Sequence, residues 1–435
     1  MSKNKVVGIS KARVFPINSR STYSFKNGNA TIDFEISPEQ MRLMDTRSLR
    51  LNFMLDVLDD ATTRNAQNPC RPNNQNTAGT GAKDILIDSR TGVHGIIDTL
   101  RISNFKSEVI AEIRNYGHMC ASTMTALTSF DAYKNWNSCK SVAFAREDTE
   151  GLAVNGTMPC SIELKAGIFN SGQPVSTMMT DGLKIKISLQ SDNTFLFDNG
   201  GGDAAASNSH YELSKVSLTY NWINLEAPMM PGNENLQFPA YSSFTNIVQS
   251  SDDQQSLMMN LKSVRAVFTN FIKTSHLNNF SRNSFQTNRL QDAAAADVPI
   301  KNYVHLRNNI KMPKKYEINE RIPVTNDVYE AQLGREYLDC FRPFRSIVST
   351  LQSPATQGYK SVDYGDYDHP DEFYVGGLGN NYDMLMIGAG VEFQNSLYAL
   401  RIQSDLTDAT ANTAYTFALS NQGLQVRQQN VQPVQ

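Results

Sequence analysis

Apolar and polar residues alternate along most of this chain. Ile32, Phe34 and Ile36 are interleaved with Asp33 and Glu35, and Leu49, Leu51, Phe53, Leu55 and Val57 with Arg50, Asn52, Met54 and Asp56. A period of two is that of a strand with one buried face. Ile85–Ile87, Leu100 and Ile102 continue the series, as do Ile162 and Leu164, the run Leu183–Leu189, and Val216–Trp222. One short helix is expected from Ser107, because Val109, Ile113 and Tyr116 fall on one helical face behind a capping serine. The plan is repeated about 200 residues later. Apolar runs at Leu261–Ile272 and Tyr303–Arg307 lead to a second expected helix, Asp327–Cys340, in which Tyr329, Leu333 and Tyr337 share a face. Strands follow at Phe373–Val375, Met384–Phe393, Tyr398–Ile402, Tyr415–Leu419 and Leu424–Val426.

The fold class is therefore all-β, with two similar antiparallel sandwiches in tandem. A length of 435 residues allows roughly two to three domains. Pro228, Pro231, Gly232 and Pro239 interrupt the alternation. The expected organisation is a basic arm at 1–27, a first sandwich at 28–226, a linker at 227–242, and a second sandwich with a C-terminal tail at 243–435. The long segments 59–82, 198–210, 286–299 and 350–371 are rich in small and polar residues and read as surface loops.

Composition narrows the function. Hydrophobic residues make up 40% and charged residues 19% of the chain, and uncharged polar residues fill the difference. Such residues suit surfaces that meet copies of themselves, where every buried charge would need a partner. A net charge of −3 argues against nucleic-acid binding by the whole molecule. The N-terminus is the exception, because Lys3, Lys5, Lys11, Arg13 and Arg20 occur there with no acid among residues 1–20. This segment is expected to be a solvated arm or one that reaches a neighbouring subunit, a nucleic acid or an anionic membrane face. The five cysteines contain no CxxC and are expected to stay reduced, Cys70 being the most exposed to oxidation. No apolar run approaches the ~20 residues of a membrane-spanning helix.

Catalytic chemistry is sparse. There is no phosphate-binding GxxxxGK[ST] loop, no GxSxG and no HExxH, and the six histidines are scattered. Asp363, Asp366, Asp368, Asp371 and Glu372 crowd one tyrosine-rich stretch, but their spacing fits no EF-hand. We expect no catalytic residues, no cofactor and no metal site. The acidic stretch is expected to be solvated, or to meet a basic surface such as Lys311–Lys315 of another subunit.

Particular phrases carry a resemblance. The strand at 95–104, GIIDTLRISN, running into EVIAEIRNY at 108–116, resembles the first jelly roll of viral major capsid proteins. Segments 182–190 and 211–220 are similar to its closing strands. In the second half, NYVHLRNNIKMP at 302–313 resembles polinton-like virus and virophage capsid proteins, and 387–393 with 398–403 is similar to the last strands of their second jelly roll. The chain thus resembles double jelly-roll major capsid proteins of the adenovirus and tectivirus-like lineage.

That resemblance implies two eight-stranded jelly rolls with short helices in the connections. It implies a homotrimeric, pseudo-hexagonal capsomer in an icosahedral shell around double-stranded DNA, made in the host cytoplasm and located in the virion. Its partners would be neighbouring capsomers, penton and minor capsid proteins, and an inner membrane or the genome through the arm. Deleting residues 2–20 would then leave trimers intact and impair shell assembly. The alternatives are a minor or vertex capsid protein, a carbohydrate-binding tandem sandwich and, last, an enzyme.

Overall fold

The structure is a computed structural model, and it describes residues 5–58, 85–88, 91–127, 151–153, 157–170, 173–198, 210–228, 234–259, 261, 263–280, 282–285, 290–294, 297–298, 300–317, 384–391, 396–427 and 430–434. Sixteen strands build two sandwiches. The first comprises β1 (Val6–Val14), β2 (Thr31–Ile36), β3 (Arg42–Leu58), β4 (Ile97–Ser103), β5 (Val109–Ile113), β6 (Thr157–Ile162), β7 (Leu183–Leu189) and β8 (His210–Leu225). The second comprises β9 (Glu234–Val248), β10 (Asp252–Leu257), β11 (Val264–Lys273), β12 (Ile300–Arg307), β13 (Ile310–Glu317), β14 (Met384–Val391), β15 (Tyr398–Ser404) and β16 (Asn412–Arg427).

The topology is the same in both. The first sandwich pairs its strands in the orders β1-β8-β3-β6 and β2-β7-β4-β5, and the second in the orders β9-β16-β11-β14 and β10-β15-β12-β13. Every one of these pairings is antiparallel. This arrangement, in which the chain alternates between two sheets except for the one hairpin β4–β5 (β12–β13 in the second), is the jelly roll.

Period-two patterning explains why the sheets close face to face. In the sheet containing β7, Phe34–Ile185–Ile102 and Ile32–Ile187–Leu100 form cross-strand rows of buried apolar side chains. Lys184 and Lys186 between them point the other way, and Lys184 pairs with Glu35 at 3.3 Å. The facing sheet contributes Leu51, Phe53, Leu55, Leu218, Tyr220 and Trp222 to the same core. In the second sandwich Val248, Phe271, Leu400, Ile402 and Tyr303 play the corresponding part.

Three sequence expectations are corrected. Residues 109–113 form β5, not a helix. Ser107 sits at φ 67° in the turn between β4 and β5, and Asn104 closes that turn by accepting the Glu108 amide at 2.8 Å. The helix begins after Asn115 and spans Tyr116–Leu127. The segment read as a linker at 227–242 is mostly strand, because β9 begins at Glu234 and pairs continuously with β16 from there to Val248. Pro239 lies inside β9 without breaking it, since β9 is an edge strand and a proline on the open side forfeits no ladder bond. The basic segment 1–27 is not a free arm. It contains β1, which pairs with β8 from Val6↔Leu225 to Val14↔Leu218, so the first jelly roll begins at Val6. The second helix expected at 327–340, the acidic stretch 363–372 and Cys70 lie outside the described residues.

Candidate assembly faces

The two sandwiches meet through a dry junction. One face of β9-β16-β11-β14 points into its own sandwich, where Phe244, Val267, Ala418, Phe271 and Ala414 pack. The opposite face presents the rows Tyr241–Leu419–Ala266, Ser243–Phe417–Phe268 and Thr245–Tyr415–Asn270. Leu419, Phe417, Phe268, Ala266 and Tyr415 are buried there in one cluster with the core of the first sandwich. On a sandwich standing alone this face would be wet.

The first sandwich covers it with three short elements: the turn Gly92–Ile96 that leads into β4, the helix Tyr116–Leu127 after β5, and the turn of helix Gly167–Asn170 after β6. His118 stacks on Tyr415 with ring centroids 4.2 Å apart and contacts Phe285 at 4.8 Å. Its Nε2 lies 3.1 Å from the Ser284 carbonyl, which can only accept, so the ring carries its proton on Nε2. Ser122 meets Asn270, Asn115 donates to Thr245 at 3.1 Å, and Asn283 donates to the buried Asp88 at 2.7 Å. Asn115 and Thr245 lie at the exposed rim, whereas the buried polar groups that cross the junction fix its register, because a slip would leave them unpaired.

Burial sets the charge states. His118 is depressed to about 4, chiefly by desolvation, against the opposing pull of the Ser284 carbonyl and Asp88. His94, whose Nδ1 lies 3.2 Å from the Tyr116 hydroxyl, is depressed to about 3 by burial and by Lys165. Cys120 is pushed up to about 12 by burial, so this thiol is inert rather than nucleophilic. Cys120 and Cys160 are both buried.

Backbone packing at the junction is close. A Cβ on Gly117 would meet the Phe285 ring at 2.6 Å, and one on Gly167 would overlap the Pro239 carbonyl of β9. The Gly167 obstacle is backbone and cannot turn aside. Gly167→Ala is therefore expected to destabilise the docked pair by about 1–3 kcal/mol, as overpacking does. Thermal melting checks this, with Gly8→Ala as the control because nothing lies within 4 Å of a Cβ at Gly8.

The equivalent face of the first sandwich is left open. Its rows are Ile9–Ile223–Leu43 and Lys11–Asn221–Asp45, followed by Arg13–Thr219–Arg50. Beyond them Asn52 donates to Thr219 at 2.9 Å and accepts from Ser161 at 2.8 Å. Glu163 bridges Arg50 at 2.6 Å and Lys165 at 2.9 Å. Burial alone would raise the Glu163 carboxyl, but the two cations outweigh it and hold it below the usual carboxylate range.

The structure separates the five basic residues read from the sequence. Lys11 and Arg13 stand on this open face, with the Arg13 guanidinium 4.9 Å from the centre of the Phe15 ring. Lys5 just precedes β1, and Arg20 lies in the bend before Thr22–Tyr23, both exposed. Lys3 lies outside the described residues. The junction itself had no sequence signal, since His118, Asn270 and Tyr415 are far apart in the chain and meet only in the fold. Trp222 is buried, as its alternation implied.

No protein-family model matches the sequence, and no curated protein matches it. Solved structures do match. The PBCV-1 virus capsid protein aligns with a TM-score of 0.57 at 9% identity, covering 98% of this chain and 96% of that one. The Faustovirus major capsid protein aligns with 0.58 at 10% identity, covering 97% and 90%. The Sputnik virophage structure aligns with 0.56 at 12% identity, covering 99% and 88%. Over nearly its whole length, the chain has the double jelly-roll fold seen in these capsid structures.

Proposed function

We propose that this chain is a major capsid protein. Three copies associate into a pseudo-hexagonal capsomer, and capsomers tile an icosahedral shell around a double-stranded DNA genome, with penton and minor capsid proteins as further partners. The observation that carries this reading is the duplication itself. Two jelly rolls of identical strand order are fused through a junction whose apolar side chains are buried in one cluster with the core of the first. Such a chain presents two near-equivalent lobes, so a threefold assembly of it occupies sixfold positions. The open sheet face mixes an apolar row, Ile9–Ile223–Leu43, with paired polar and charged side chains such as Asn52, Thr219, Ser161, Arg50 and Glu163, a composition that agrees with a surface made for protein contact rather than for catalysis. Among the described residues no group of His, Cys, Asp and Glu side chains is placed to hold a metal ion.

The test is the mass in solution. The purified protein is expected at three times 48.5 kDa, with hexagonal outlines in negative-stain microscopy. A monomer that binds sugars would replace this reading with the carbohydrate-binding one.

A further inference from the structure

The two sandwiches share one topology but finish differently at one end. In the sheets β2-β7-β4-β5 and β10-β15-β12-β13, three points of the chain meet there: the exit from the first strand in that order, the entry to the second, and the hairpin between the last two. In the first sandwich this end is polar. Ser37 follows β2, Asp181 and Gly182 precede β7, and Lys106 of the β4–β5 turn pairs with Asp181 at 3.5 Å. The Phe105 ring of that turn is folded back against Gly182, with the Lys184 ammonium 5.5 Å from its centre. In the second sandwich the same three points carry Met258, Leu397 and Ile310, which are 91%, 47% and 71% exposed.

The backbone that carries these side chains is clasped. The Met259 amide donates to the Leu257 carbonyl at 2.9 Å, a γ-turn that puts Met258 at its apex while Leu257 and Met259 are buried on either side. Asn308 and Asn309, at φ 49° and 65°, make a two-residue hairpin turn, and Ile310 follows as the first residue of β13. The Asn308 amide donates to the Leu397 carbonyl, and the Asn308 side-chain oxygen accepts the Leu397 amide, both at 2.8 Å. Arg307 donates from Nε to Ser396 Oγ at 3.0 Å. The result is a firm, convex tip with three large apolar side chains in water. Across residues 257–259, 307–312 and 396–398 the charged side chains are Arg307 and Lys311, both cationic. Apolar side chains at the apex with cations behind them are the chemistry of shallow insertion into an anionic bilayer. A protein partner would need a separate depression for each side chain, whereas lipid takes a protruding tip without complementary shape. We propose that this end of the second sandwich is a membrane-contact site. Met258, Ile310 and Leu397 enter the boundary between headgroups and acyl chains, and Arg307 and Lys311 meet lipid phosphates. The basic segment 1–20 does not compete for this role from the same place, since it is paired into the first sandwich through β1. The site belongs to the single chain and does not depend on the trimeric reading, although several tips held in one assembly would bind more tightly than one.

Flotation of the purified full chain with lipid vesicles tests this. Phosphatidylcholine vesicles containing about one third phosphatidylserine are expected to carry the protein, and pure phosphatidylcholine vesicles to carry much less of it. Met258→Asp and Ile310→Asp should each lower the fraction bound to the anionic vesicles about tenfold, with an unchanged circular dichroism spectrum. Lys311→Glu should weaken binding to the anionic vesicles and leave the residual binding to the neutral ones as it was. Ile247→Asp, at a side chain 54% exposed towards the opposite end of the same sandwich, is expected to float like the unmodified chain. Insertion itself is read from Met258→Trp, whose added fluorescence should be quenched by vesicles with brominated acyl chains. A chain that does not float with the anionic vesicles overturns the proposal and leaves the tip to a pocket on a protein partner. Folded Met258→Asp and Ile310→Asp proteins that float undiminished, or a Met258→Trp signal untouched by the brominated lipid, overturn it as well. The mass in solution is measured separately, so none of these outcomes bears on the trimer.

Discussion

Deletion of residues 2–20 is expected to abolish the native first sandwich, not merely to weaken shell assembly. The segment holds β1, paired with β8 over eight positions, and it then crosses to the other sheet. There the Ile17 amide donates to the Asp33 carbonyl at 2.8 Å. The Asn18 side chain donates to the Thr31 carbonyl at 2.8 Å and accepts from the Asp33 amide at 3.2 Å. Tyr23, almost fully buried, donates its hydroxyl to the Asn18 carbonyl at 3.0 Å. The segment thus ties both sheets of one sandwich together. With net values of about 1 kcal/mol per hydrogen bond, the lost ladder and clasp amount to on the order of 10 kcal/mol. That is comparable with the whole stability of a typical domain. The loss would also turn β8 into an edge and uncover Leu218, Tyr220 and Trp222. Soluble yield and near-ultraviolet circular dichroism check this. A soluble truncated protein that melts like the full chain would disprove it.

The same strand shows why the sequence misled at this point. Regular alternation made β2, β3, β7 and β8 visible, because their inward positions are large and apolar and their outward ones mostly polar, whereas β12, β15 and β16 were visible as short apolar runs buried on both faces. In β1 the two faces exchange roles, so its basic and apolar outward row looked like a solvated arm. β5 was lost to the opposite ambiguity, since Val109 and Ile113 satisfy a helical spacing as well as the edge of a sheet. β9 was lost to Pro239, which reads as a breaker until its edge position is known. Tandem duplication was legible, because repetition of a pattern does not depend on which face is buried. The junction was not. Its components come from the elements around β4, β5, β6, β9, β11 and β16, and no local pattern links His118 to Tyr415 or Asp88 to Asn283. The glycines at the junction, too, look like ordinary turn residues until Gly167 is seen under the Pro239 carbonyl.

Acid is expected to loosen the molecule at the junction before it affects the surface ion pairs. His94 and His118 titrate at about 3 and about 4 in the folded chain, against about 6.5 when unfolded. Below pH 6.5 the unfolded chain binds protons that the folded chain refuses, so stability falls as pH falls through the window from 6.5 to the folded values. At pH 5 each ring contributes about 2 kcal/mol of lost stability relative to pH 7, and the pair about 4 kcal/mol. Asp192 works against them. Burial raises it to about 6, so its protonation between pH 6 and 5 returns about 1 kcal/mol to the folded state. The net loss is about 3 kcal/mol. Glu163, held below its usual range, adds its own loss only under the ordinary carboxylate pKa of about 4.3. Urea denaturation at pH 7, 6 and 5 measures this. His118→Gln can retain the hydrogen bond to the Ser284 carbonyl but has no titrating ring, so the same acidification should remove about 2 kcal/mol less from it than from the unmodified chain. Stability that is level or rising from pH 7 to pH 5, or a His118→Gln protein with an unchanged slope, would show that these rings do not control the response to acid. If the slope does fall, the acid-sensitive element is the packed contact between His118 and Tyr415, which joins the two lobes of one chain.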